Sequence, residues 1–198
     1  MAHVSIQGHR TFHIALFFGV LINESAWFAY RHFTVGMRLA ENLPLHLCDL
    51  SVFALIAGLA TNQRFFAECA YFKGVVGALL AVVFPAVSET GTIRPIAEAR
   101  YFITHIALVG TGFYLTFGRG YHPEAQAILR IYAAIVGYAV LVTPPNLYLN
   151  TNYFYTFSAP AEVRFVHAFP HWFFLGAVSA TFLAAFGLLH LTFRWKKT

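Results

Sequence analysis

Charge is what this chain has least of. Only 11% of its 198 residues are Asp, Glu, Lys or Arg, against about 25% in an ordinary soluble domain, while 59% are apolar. A chain of this size folded in water still exposes roughly a third of its surface. The 22 Phe, 10 Tyr and 3 Trp leave too little polar area to cover it, which excludes a water-soluble globule. Cysteine is nearly as scarce: Cys48 and Cys69 are the only two, so neither a disulfide scaffold nor a four-cysteine metal site is available. The 13 basic residues exceed the 8 acidic ones by five, but they are scattered singly, without the basic stripe that nucleic-acid binding needs. Glycine-rich phosphate loops, nucleophile elbows and zincin motifs are missing as well. The first apolar stretch, Phe12 to Ile22, runs into Asn23 and Glu24 without a small-x-small cleavage site, so it reads as a retained span and not a signal peptide.

What is present is hydrophobic length. About 20 mostly apolar residues are needed to cross about 30 Å of hydrocarbon. Six segments approach that length, at residues 11–30, 43–60, 65–87, 100–117, 127–149 and 169–193. No linker, repeat or low-complexity tract divides them. The expectation is therefore an all-α fold, a polytopic transmembrane helical bundle of about six spans forming a single integral membrane domain over residues 1–198. Pro144-Pro145 is the one feature expected to break a span or end it early. With six spans, Arg10, Arg64, Arg119, Arg130, Arg194, Lys196 and Lys197 share one side, and Arg31, Arg38, Arg94, Arg100 and Arg164 the other. The positive-inside rule then puts both termini in the cytoplasm. Trp27, Trp172 and Trp195, near span ends, read as interfacial anchors.

A charge inside hydrocarbon costs on the order of 2.5–3.5 kcal/mol on insertion scales, so each polar group there asks for a partner or a task. The depths are not random. Glu24 lies near the exit of the first span, and His46, Cys48 and Asp49 lie near the entrance of the second. His105 lies a short way into the fourth, His167 and His171 at the start of the sixth, and Asn146, Asn150, Asn152 and Tyr153 after the fifth. All of these meet one membrane face. In a helix from Pro44, His46 and Asp49 are three apart and face together, as an orienting or structural pair, whereas Cys48 points about 200° away from His46. Cys48 then needs a base from another helix, and His105 is at matched depth. A thiol beside imidazolium and near a helix N-terminus is activated, whereas one buried in lipid is inert. Cys48 has those neighbours and Cys69 does not; the two differ too much in height to form a disulfide. Lys73 is expected to snorkel or to pair with Glu68. His167 and His171 are spaced for a shared metal, but Pro170 between them starts the helix too late, so no metal is assigned.

The runs LPLHLCDLSVF, YFKGVVGALLAVVFP, RYFITHIAL and NLYLNTNYFY together resemble the YwaF-like bacterial integral membrane family from about Glu24 onward. That family is similar, more distantly, to a vertebrate transmembrane acyltransferase acting on ether phospholipids and to the androgen-induced hydrolases of fatty-acid esters. In the acyltransferase branch a cysteine in an HLC-like motif and a histidine two spans later are the reactive pair. Carried over, they are Cys48 and His105. A threonine replaces the cysteine in the hydrolase branch, so the chain resembles the acyltransferase branch more. The resemblance also implies a further span ahead of residues 11–30 and a bacterial cytoplasmic membrane.

The expected function is a membrane-embedded lipid acyltransferase or acyl-ester hydrolase working through a thioester on Cys48, with His105 as base. Glu24, His46, Asp49, His167 and His171 would line the substrate site, and Asn146 or Asn152 would stabilise the oxyanion. Its partners are membrane phospholipids or fatty-acyl esters, and no cofactor is called for. One rival is a lipid- or ion-binding or transport protein in which Cys48 is incidental. A second is a bis-histidine haem protein using His105 with His46 or His167.

Overall fold

The computed structural model describes residues 6–34, 36, 40, 43–61, 63–85, 87, 91–121, 123–161 and 163–194. Arg38 and the tail of Trp195, Lys196 and Lys197, used above to argue orientation, lie outside the described residues. Among the described residues six long helices run α1 (Ile6–Thr34), α2 (Leu47–Thr61), α3 (Arg64–Val83), α4 (Gly91–Gly118), α5 (Ala125–Leu149) and α6 (His171–Arg194). Among the described residues there is no strand. Five of the helices are long and apolar enough to cross a membrane, and α2, with 15 residues, is shorter.

The first two helices are antiparallel. His13 near the start of α1 donates from Nε2 to the carbonyl of Leu59 near the end of α2, at 2.7 Å. The centre of the bundle is α3: 56% of its apolar window is buried, against 17% for α1, α5 and α6, whose outer faces are left to lipid. It joins two cores. Val20, Val52, Leu55, Ala70 and Leu108 pack α1, α2 and α4 on one side of α3. Tyr71, Phe72, Val75, Ile131 and Phe186 pack α5 and α6 on the other. Two turns widen to π-helix, Cys69–Gly74 within α3 and Tyr114–Gly118 at the end of α4.

Several boundaries differ from the sequence expectation, each for a local reason. The fourth helix starts nine residues early, at Gly91, because Pro95 sits in its first α-helical turn, where a missing N–H costs nothing. That moves Arg100 from the first residue of the expected span to well inside the helix. The third ends at Val83, before Phe84 and Pro85. The second begins only at Leu47, leaving Pro44 ahead of it. Pro144 and Pro145 do not break α5, which continues to Leu149. The two carbonyls they deprive of partners, on Val140 and Leu141, belong to exposed residues near the helix end, and Asn150 closes the helix in the left-handed conformation at φ 52°. Pro170 does precede α6, so His167 and His171 lie on different elements, a 3₁₀ turn (Arg164–Ala168) and the helix.

Candidate functional site

The entrance of α2 is held from beneath by the segment that follows α5. His46 caps the helix: its backbone N–H donates to Asp49 Oδ2 at 3.1 Å, and its carbonyl accepts from Leu50 N–H at 3.1 Å. This is half of a capping box. His46 and Asp49 do pair, but through backbone and carboxylate, which frees the imidazole. That ring lies 5.1 Å from the ring of Tyr153 and 5.5 Å from that of Tyr155, and its Nδ1 faces the N–H of Phe154 at 3.5 Å. Burial pushes its pKa below the ordinary imidazole value. Tyr138 on α5 donates its hydroxyl to the carbonyl of Leu45, and Tyr153 donates to that of Ala40, both at 3.0 Å.

Asn146 builds this supporting loop. Fully buried at the end of α5, it donates from Nδ2 to the carbonyl of Tyr153 and to Thr156 Oγ1, both at 2.8 Å. Its Oδ1 accepts from Tyr153 N–H at 2.8 Å and from Thr151 Oγ1 at 2.9 Å. The four bonds hold Phe154 and Tyr155 at positive φ, which bulky residues adopt only when their surroundings insist. Asn152 is used in the same way: its amide nitrogen donates to the carbonyl and hydroxyl of Ser158, and its oxygen accepts from Phe157 and Ser158 N–H. Neither asparagine has a donor to spare for an oxyanion, so that expectation is corrected to a loop-building role. His171 donates from Nε2 to the carbonyl of Thr156 at 2.9 Å and His167 to that of Pro160 at 3.1 Å, which assigns them to the same scaffold.

Across from this loop, α1 and α4 close around a buried ion pair. Glu24 pairs with Arg100, and Glu24 Oε1 also accepts from Thr104 Oγ1 at 2.8 Å and from Asn23 Nδ2 at 3.1 Å. The indole of Trp27 lies beneath the guanidinium of Arg100, 5.4 Å from its centre. Arg100 Nε is buried with no hydrogen-bond partner among the described residues. One turn deeper, His105 donates from Nδ1 to the carbonyl of Tyr101 at 2.7 Å. A carbonyl only accepts, so Nδ1 carries a proton, and in the neutral ring Nε2 then keeps its lone pair.

Cys48 stands between these halves, half-buried in the first turn of α2. Asp49, Arg100, Lys73 and Tyr138 are the charged or titratable groups within electrostatic range of its thiol. Arg100 and Glu24 act in the same way on His105. Arg100 thus pairs with Glu24 and its charge acts on Cys48, Asp49 and His105, although no hydrogen bond joins Cys48 to His105 among the described residues. Both cysteines are free thiols, with Cys69 buried on the π-helical turn. Arg100, Thr104, Asn23 and Tyr138 escaped the sequence reading. The Arg100-x-x-x-Thr104 spacing, inside the expected span, was the available signal, but Arg100 was counted only as an orienting charge. Lys73 needs correction as well. It is buried rather than snorkelling, and Glu68 is already held by Arg64 and Arg130.

Among the described residues, six helices, five of them long apolar candidate spans, define a polytopic helical membrane protein. The chain belongs to the TMEM164 family, whose pattern it matches over residues 2–190. No curated protein and no solved structure matches it.

Proposed function

We propose that this TMEM164-family membrane protein is a lipid acyltransferase or acyl-ester hydrolase that works through a thioester on Cys48, in a bacterial cytoplasmic membrane. The observation that carries the reading is the position of Cys48. It is a half-buried thiol in the first turn of a helix, within reach of the charge of Arg100, which also acts on His105. His105 Nε2, bare of its proton, takes the thiol hydrogen, and Sγ attacks the ester carbonyl carbon. The carbon–oxygen ester bond breaks, and the leaving alkoxide receives the proton from His105. In the second half an acceptor hydroxyl, of a lysophospholipid or of water, gives its proton to His105 and attacks the thioester carbonyl. Sγ leaves and is reprotonated, so protons and acyl group balance over the cycle. Arg100, with its unpartnered Nε, is the candidate for stabilising negative charge on the carbonyl oxygen. His46, Asp49, Asn146 and Asn152 shape the entrance, and His167 and His171 hold its rim.

Intact-protein mass spectrometry after incubation with phospholipid vesicles tests this. Wild type should carry one acyl mass that hydroxylamine removes, Cys48→Ala none, and His105→Ala far less than wild type. No adduct, or an adduct shared equally with Cys69, overturns the reading. The missing thiol–imidazole hydrogen bond favours a second one, in which the polar cluster binds a lipid headgroup or ion and Cys48 is incidental. Full cellular function of Cys48→Ser would select it.

A further inference from the structure

Lys73 is a buried charged group with no part in the reaction proposed at Cys48. It lies on α3 nine residues beyond Arg64, about 13 Å along the helix axis at 1.5 Å per residue, and its side chain is only 3% exposed. The π-helical turn Cys69–Gly74 carries it, a distortion that is frequent at functional sites because it re-aims a side chain. No carboxylate meets it. Glu68 is occupied by two arginines, and no hydrogen bond or ion pair reaches the ammonium among the described residues. The titratable groups that act on it are the thiols of Cys69 and Cys48.

Lys73 lines a cavity of ≈ 290 Å³ between α2, α3 and α5. Leu50, Ala54, Phe66 and Ile131 are among its walls, and apart from Lys73 and Cys69 every lining residue is hydrocarbon or aromatic. Lys73 stands at the Cys48 end. Phe65 stands toward the α2–α3 turn, and Phe53 and Phe65, at 48% and 41% exposure, open the cavity sideways to the bilayer. An uncompensated ammonium at this depth costs several kcal/mol. The occupant that suits it is therefore apolar along its length with one negative charge attached directly to the end of the chain. A phospholipid does not meet that description, because its phosphate is set off from the acyl chains by glycerol and belongs at the interface.

We infer that the α2–α3–α5 cavity is a binding site for a long-chain fatty acid, whose carboxylate pairs with Lys73 and whose chain runs past Ala54 and Ile131 toward Phe65. This does not rest on thioester chemistry at Cys48. If that chemistry holds, the site receives the carboxylate released by hydrolysis, but the cavity and its cation stand without it.

The test uses the full chain in lipid nanodiscs and a palmitic-acid analogue carrying a diazirine and an alkyne, with its methyl ester as the uncharged control. Wild type should crosslink the acid in peptides from α2, α3 and α5, about tenfold above the ester, the discrimination expected of one charge-assisted contact. Lys73→Met should reduce the acid to the level of the ester, and Lys73→Arg should restore much of the preference. Ala134→Phe, which fills the cavity from α5 without touching the ammonium, should abolish labelling by both probes and keeps the test decisive if Lys73→Met fails to fold. Cys48→Ala should label like wild type, so loss of acyl transfer and loss of fatty-acid binding are told apart. Equal labelling by acid and ester in wild type, or undiminished acid labelling in Lys73→Met or Ala134→Phe, overturns the inference.

Discussion

Arg100 connects the largest number of groups at the candidate site, and its charge is balanced by one carboxylate. Replacing Glu24 with Ala strands a guanidinium that is largely withdrawn from water. The expected cost is about 3 kcal/mol, the low end for breaking a buried pair. Thermal unfolding in detergent should show it, and Arg100→Met in the same chain should recover part of the loss, because the stranded charge then disappears. His46 makes a different residue-scale prediction. Burial keeps its folded pKa below the unfolded value, so as pH falls below about 6.5 the unfolded chain binds a proton first and stability declines. The decline levels off below the folded pKa. The melting temperature should therefore drop between neutral and acidic pH, with a shallower slope in His46→Gln; an unchanged slope would show that His46 does not carry the effect. At this scale the sequence told more about which residues matter than about what they do. Cys48, His105 and Glu24 were legible because a polar group in an apolar run is conspicuous. The employment of Asn146 in building a loop was not, because four hydrogen bonds to residues five to ten positions later depend on where α5 ends.

Among the elements, α4 packs closely on α3, and Gly112 permits it. A Cβ at Gly112 would lie 2.5 Å from Val75 Cγ2 and 2.8 Å from the carbonyl oxygen of Ala70, and the latter is backbone that cannot yield. Gly112→Ala should therefore destabilise by roughly 1–3 kcal/mol, the usual range for overpacking. Gly110→Ala, two residues away with nothing within 4 Å, should be neutral or stabilise by up to about 1 kcal/mol through helix propensity. Melting temperatures of the two variants, measured side by side, check the pair. Equal effects would mean that the interface relaxes around Gly112. The same scale explains why spans were legible and ends were not. Hydrophobic length marks where hydrocarbon lies, whereas a helix ends where its backbone finds other partners. Pro144 and Pro145 were misread for that reason: near a helix C-terminus, at exposed residues, a missing N–H breaks little.

For the molecule as a whole, charge is collected at two ends of an apolar bundle, with Lys73 the exception between them. One end holds Glu24 and Arg100. At the other, Glu68 on α3 is fully buried and accepts from Arg64 Nε at 3.1 Å, Arg130 Nε at 2.8 Å and Arg130 Nη2 at 2.5 Å, while Arg64 reaches Glu124 at 2.7 Å. The ring of Tyr121, between α4 and α5, lies 5.8 Å from the guanidinium of Arg64, and burial together with Glu68 raises its phenol pKa. This second knot ties α3 to α5 across the face away from Cys48. Charges separated by most of a bundle, each neutralised locally, should act independently. Glu68→Gln should therefore lower the melting temperature while leaving the alkylation rate of Cys48 by a membrane-permeant maleimide unchanged, well below the melting transition. Glu24→Gln should change both, because Arg100 then faces Cys48 and His105 without its counter-charge. If Glu68→Gln shifts the Cys48 rate as much as Glu24→Gln does, the two ends are coupled through α3, the helix that both cores share.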